Sequence, residues 1–266
     1  MGDGLNGESR VVIGRLPVDV VTTAQALERV ERLLAAGAGG AIFTPNVDHV
    51  VQAEDSPRLC AAYERVDLSL ADGMPILWAA LALGQPLPEK ISGSDFTPLL
   101  IARAAERGWK MYLLGGGPGV ASLARDRMLE RHPGLKVVGI EAPSIDVDDA
   151  PERLAPLVDR IKDTEPHVVL VALGAPKQEI WIDFARDRLK PAVLVGVGAS
   201  LDFVAGSLPR APRWMSSIGL EWLYRLGREP RRLWKRYLLR DPQFVVILAR
   251  ALKAQRAGVV RRRVRR

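Results

Sequence analysis

Six short runs of mostly aliphatic residues, AIFT (41–44), DLSL (67–70), KMYLL (110–114), KVVGI (136–140), HVVLVAL (167–173) and AVLVGV (192–197), constrain this chain more than any other feature. Several are apolar at successive positions rather than alternate ones, and each stops at a Gly, Pro, Asn or Asp. Helix-length amphipathic stretches separate them near 22–36, 47–65, 74–83, 95–107, 118–131, 150–164 and 177–188. A strand that is apolar on both sides needs cover on both faces, and parallel sheets receive it from the helices of βαβ units. The expected fold is therefore α/β: an open, mostly parallel, Rossmann-like sheet covered by helices. Ligands of such sheets bind beyond the carboxyl ends of the strands, which directs attention to the polar residues that follow each strand.

Charge divides the chain in two. Residues 207–266 hold 17 Lys/Arg against 3 Asp/Glu, a balance of +14, so the rest carries −7 of the net +7. Residues 1–206 read as the α/β core, with GQPLPEKISG (84–93) a candidate break between lobes, and 207–266 as a basic helical appendage. In the appendage Trp222, Tyr224, Trp234 and Tyr237 interleave with arginines ahead of an apolar stretch bearing Arg250, Lys253 and Arg256. That mixture suits an anionic membrane surface, whereas no nucleic-acid-binding motif accompanies it. The alternative is that Trp222 and Trp234 are core residues and the arginines merely solvated. The terminal RRRVRR adds basic charge at such a surface.

The start of the chain has no apolar leader, and FVVILA (244–249) is too short to cross a bilayer. The expected location is cytoplasmic, peripheral at the inner face of the membrane. A lone cysteine, Cys60, allows no intramolecular disulfide, and His49, His132 and His167 lack zinc-site spacing, so neither metal nor cofactor is expected. The oligomeric state stays open.

After the first of the six runs, Thr44 and Asn46 offer a hydroxyl and an amide to a sugar, although Asn46 serves equally as a helix cap and His49 as a packing residue. After the second, Asp72 sits on a turn that Gly73 makes tight; it is either another cap or a general base for a sugar hydroxyl. Gly116 and Gly117 belong to a glycine-rich turn that opens a helix and suits phosphate. Glu141 stands where a dinucleotide-binding fold would hold a ribose, which keeps an NAD(P)-dependent oxidoreductase as the rival, beside a non-catalytic nucleotide-binding regulator. Lys177 and Gln178 could serve a diphosphate and a sugar hydroxyl, and Asp202 a ribose or base.

Taken in order, TPNVDHV, SLADGMPI, ISGSDF, LLGGGPGV, GAPKQEIW, GVGASLDFVAG, RAPRW and GLEWLYRLGREPRR resemble the WecG/TagA/CpsF family of bacterial glycosyltransferases across roughly residues 40 to 245. The resemblance implies an inverting transfer, without a metal ion, of an N-acetylmannosamine-type sugar from a UDP-sugar to undecaprenyl-diphosphate-linked N-acetylglucosamine in cell-surface polysaccharide synthesis. It makes Asp72 the catalytic base and gives Thr44 and Asn46 a part in positioning reactants. By the same likeness Gln178 lies near the active site, Asp202 meets the nucleotide, and Arg225 and Arg232 close over the pocket and hold diphosphate. One loop departs from the family, with Glu141-Ala142-Pro143-Ser144 where a Gly-aromatic pair is common.

Overall fold

The computed structural model describes residues 9–146 and 151–257. A hairpin comes first, β1 (Arg10–Ile13) and β2 (Leu16–Asp19), which the aliphatic runs did not reveal. Four-residue strands, one containing Pro17, carry little periodic signal. Gly14 supplies the left-handed backbone, φ +62°, that the two-residue turn requires.

The chain continues through α1 (Thr23–Ala35), β3 (Gly40–Phe43), α2 (Val47–Asp55), α3 (Pro57–Glu64), β4 (Leu68–Ser69), α4 (Met74–Ala82), α5 (Gly93–Arg107), β5 (Lys110–Gly115) and α6 (Val120–Arg131). Then come β6 (Lys136–Glu141), α7 (Pro151–Asp163), β7 (Val168–Ala172), α8 (Lys177–Ala185), β8 (Val193–Gly196) and α9 (Ser200–Ala205). Each of the six expected strands is present. The helix expected over 47–65 is two: Ser56 leaves helical geometry, its hydroxyl caps the Leu59 N–H, and Pro57 starts the second helix. The short α9 was not foreseen.

The main sheet runs β4-β3-β8-β7-β5-β6 with every pairing parallel. Successive strand residues feed two separate cores, as the two-residue period demands. Phe43, Tyr112, Leu114, Val169, Val171 and Leu194 face a core with α2, α3, α4, α7 and α8. Ile42, Met111, Leu113, Leu170, Val193 and Val195 face one with α1, α5, α6 and α9. Segment 84–92 carries the chain between these faces, since α4 packs in the first core and α5 in the second. Adjacent strands β3 and β8 lead into helices on opposite faces, which parts the loops at their carboxyl ends and leaves room for a ligand.

Beyond α9 lie α10 (Arg213–Ser217), α11 (Glu221–Arg228), α12 (Pro230–Trp234), a π-helical turn (Lys235–Arg240) and α13 (Gln243–Arg256). Phe244 and Ile247 of α13 join the first core and Gln255 donates to the Leu83 carbonyl at 3.1 Å, which seats the appendage on the core's edge. Trp222 and Trp234 are 39% and 42% exposed, which removes the reading that makes them core residues. The RRRVRR segment lies outside the described residues, among which no helix is long and apolar enough to cross a membrane.

Candidate active site

The parallel pairing of β3 with β4 brings their following loops together, and the Asp72 N–H donates to the Pro45 carbonyl at 3.0 Å. Asp72 thereby sits next to the Thr44–Asn46 turn. Gly73 takes φ +102°, a geometry a side chain resists, and aims the chain into α4. The Asp72 carboxylate caps nothing: among the described residues it accepts no hydrogen bond, and Gly73, not Asp72, precedes α4. Asn46 does cap, its Oδ1 accepting from the Asp48 and His49 N–H groups at 3.1 and 3.4 Å.

Asp72, Asn46, Lys90, Arg225, Arg236 and Asp241 share a cavity of about 740 Å³ between α4 and the appendage. Its remaining wall is largely apolar and includes Met74, Trp78, Ala82, Phe244, Val245 and Leu248. Asp72 keeps some surface toward the cavity, but the protein mass around it excludes bulk water. That desolvation, aided by the nearby Glu221 carboxylate, raises its pKa to about 6 against the pull of Arg225, Lys90 and His49. An acid poised near neutrality in a cleft is suited to accept a proton during a reaction.

The appendage supplies the opposite wall. Arg225 donates to Glu221 Oε1 at 2.8 Å and its guanidinium lies 5.1 Å from the Phe203 ring centre, so α11 is held against α9. Glu221 Oε2 accepts from Ser216 at 3.1 Å, and Ser216 accepts from Lys90 at 3.0 Å. Arg236 reaches Asn46 Oδ1 at 3.3 Å, and Arg240 pairs with Asp48 at 3.2 Å. The charges around Asp72 therefore come from both the core and the appendage.

Behind the cavity runs a buried relay. His49 Nδ1 lies 2.9 Å from Asn46 Oδ1, its Nε2 lies 3.2 Å from Glu179 Oε1, and the same oxygen accepts from Gln178 Nε2 at 2.7 Å. Gln178 Oε1 in turn accepts from the Gly198 N–H at 2.9 Å. Gln178 is thus a buried brace that joins the loops after β7 and β8. His49 supports Asn46 from behind. Glu179 is fully buried, and sequence reading passed over it; the only signal was a carboxylate among the apolar neighbours of QEIWIDFA. Lys90 was missed as well, because its role depends on where the 84–92 loop passes.

The other expected residues lie outside the lining of this cavity. Thr44 is buried, and its Oγ1 would stand 3.3 Å from a Cβ placed on Gly93. Gly116 spends its N–H on the Ala172 carbonyl at 2.9 Å, whereas Gly117 is exposed before the uncapped start of α6. Lys177 donates to the Ile145 carbonyl at 3.1 Å. Asp202, in the first turn of α9, has a pKa raised by desolvation, which Ser207 and Arg232 offset in part. Arg232 is largely exposed and pairs with Glu229 at 2.6 Å. Glu141 accepts from Arg160 Nη2 and the Tyr112 hydroxyl, each at 2.7 Å, so the carboxylate that a ribose would need is already engaged.

Comparison with known proteins matches residues 11–258 to the model of the "Glycosyl transferase WecG/TagA/CpsF family". The chain is also 31% identical over 220 residues to an N-acetylglucosaminyldiphosphoundecaprenol N-acetyl-beta-D-mannosaminyltransferase of Bacillus spizizenii (strain ATCC 23059 / NRRL B-14472 / W23), covering 83% of this chain and 81% of that protein.

Proposed function

Because this chain belongs to the WecG/TagA/CpsF family of glycosyltransferases, we propose that it moves an N-acetylmannosamine-type sugar from a UDP-sugar to N-acetylglucosamine carried on a polyprenyl diphosphate. Asp72 carries the reading. It is a carboxylate without a hydrogen-bond partner among the described residues, at a strand end, with a pKa of about 6, facing a cavity walled by cations and apolar side chains. In the reaction an acceptor hydroxyl attacks the anomeric carbon from the side opposite UDP. Its proton passes to Asp72 as the new C–O bond forms, the bond to the UDP oxygen breaks, and the anomeric configuration inverts.

Arg225 and Arg232 stabilise the charge that gathers on the departing diphosphate, and guanidinium forks suit that task without a metal ion. Arg225 borders both the cavity and Phe203 of α9, between the proposed acceptor and nucleotide sites. Asp202, Gly117 and the first turn of α6 meet the nucleotide, with Lys177 and Gln178 shaping that end and Thr44 and Asn46 positioning the reacting sugars.

The polyprenyl chain leaves along the apolar wall of Trp78, Ala82, Val245 and Leu248. Around that exit Leu81, Leu239 and Val245 are more than 60% exposed on surfaces shared with arginines, a composition that fits an anionic leaflet. The protein then works as a peripheral membrane enzyme.

The test is UDP release from a panel of UDP-sugars in EDTA, with and without a polyprenyl-diphosphate-linked N-acetylglucosamine. Acceptor-dependent release with one donor is the expected result. Release that requires an added divalent ion would refute the metal-free chemistry, and no release with any donor would refute the substrate assignment.

A further inference from the structure

Asp241 joins the π-helical turn to α13 and lines the same cavity as Asp72. Its Oδ1 is buried without a hydrogen-bond partner among the described residues. The closest cation to its other oxygen is Arg236, whose Nε stands 3.8 Å away, beyond hydrogen-bond reach. Arg236 is itself shared, since it lies 3.4 Å from Asp48 and donates to Asn46. Asp48, by contrast, is well served by Gln52 at 2.8 Å and Arg240 at 3.2 Å. Of the two carboxylates beside Arg236, the one that lines the cavity is therefore the one left short of donors. Leaving a buried acceptor unsatisfied destabilises the fold, a cost a ligand rich in donors can offset.

The cavity's other carboxylates have tasks of their own. Three carboxylates line it beside Lys90, Arg225 and Arg236: Glu221 is engaged by Arg225 and Ser216, Asp72 serves as the base, and Asp241 is left for a donor. A diphosphate has only acceptor oxygens and is repelled by a carboxylate; a sugar offers several O–H donors and an amide N–H. Asp241 therefore suits the acceptor's sugar rather than its diphosphate, and a sugar whose reacting hydroxyl meets Asp72 has further donors to direct at Asp241.

We propose that Asp241 is a specificity-determining residue of the acceptor site, where its carboxylate accepts a hydrogen bond from a hydroxyl or the amide N–H of the acceptor sugar. The inference rests on the transfer reaction proposed above. The charged groups around Asp241 are Arg236 and Arg240 on its own turn and Asp48 and His49 on α2. Burial, with Asp48, raises its pKa to about 6, so the acceptor-competent anion prevails at neutral pH.

The experiment measures acceptor and donor KM for the full chain and for Asp241→Asn and Asp241→Ala, using lipid-linked N-acetylglucosamine and analogues that each lack one hydroxyl or the amide N–H. For the unsubstituted chain at least one analogue is expected to raise acceptor KM about tenfold, a readout that needs no variant. Both variants should raise acceptor KM about tenfold with donor KM within about twofold, and that same analogue should then cost nothing further. Unchanged acceptor KM in the variants would overturn the proposal and leave Asp241 a purely structural residue, served by buried water. Equal penalties for every analogue with and without Asp241 would overturn it as well. Absence of acceptor-dependent UDP release from the unsubstituted chain is a separate failure, and it removes the underlying reaction along with the proposal.

Discussion

Asp72 should impose an acid limb on kcat at saturating acceptor with a midpoint near pH 6, whereas protonation of Asp241 acts through acceptor KM. The shift from the ordinary 3.8 to about 6 means that ionising this carboxylate in the folded protein costs about 3 kcal/mol more than in water. At pH 5 only about a tenth of Asp72 molecules are ionised, so the rate falls about tenfold from its plateau, whereas an unperturbed aspartate would lose almost nothing. Glu221 raises the pKa from the appendage side, and replacing it by Gln should move the midpoint down by about half a unit or more while Arg225 keeps an acceptor.

Stability carries the opposite sign to catalysis. The folded pKa lies above the unfolded one, so below pH ~4 both states are protonated and Asp72 is neutral to folding, while above pH ~6 the full penalty applies. Asp72→Asn should therefore abolish turnover and raise Tm at pH 8 by about 5 °C, after discounting the penalty for the cavity's contact with solvent, with no gain at pH 4. Initial rates from pH 4.5 to 9 and thermal melts at both pH values decide the matter. An acid limb centred near pH 4, or an Asp72→Asn variant with full activity, would refute the reasoning.

Three other outcomes are expected. Gly115→Ala should destabilise by about 3 kcal/mol in urea titration, since Gly115 sits at φ +95° and a Cβ there would stand 2.5 Å from the Ala172 carbonyl oxygen on the neighbouring strand. Glu179→Ala strips the shared acceptor from His49 and Gln178, and should cost about 3 kcal/mol by the same measurement; a loss below about 1 kcal/mol would dissolve the relay. Replacing Trp214, Leu239 and Val245 together by Glu should weaken sedimentation with anionic vesicles at least tenfold and leave neutral vesicles unaffected, and unaltered binding would remove the membrane face from the appendage.

Local pattern made the sheet legible. Runs such as HVVLVAL and AVLVGV can be covered only by helices on both faces, and β7 and β8 lie where those runs do. The strand-end positions of Asp72, Asn46, Gln178 and Asp202 were legible for a related reason, because residues after parallel strands meet at one edge of the sheet. The hairpin was not, since β1 and β2 are too short to show a period, nor was the division of α2 from α3, which only the Ser56 cap makes plain. Periodicity and strand-end position are carried by neighbours in the chain, so the sequence by itself determined the fold class, the loops that bear polar groups and the basic character of the appendage. Tertiary structure alone decided which charges surround Asp72. Glu221 and Arg225 approach it from residues about 150 positions away, Lys90 depends on how the 84–92 loop crosses the sheet, and Asp241 and Arg236 enter the cavity because α13 packs against α2. A carboxylate's pKa and a cavity's polarity are sums over neighbours in space, and chain order does not specify those neighbours until the fold has formed.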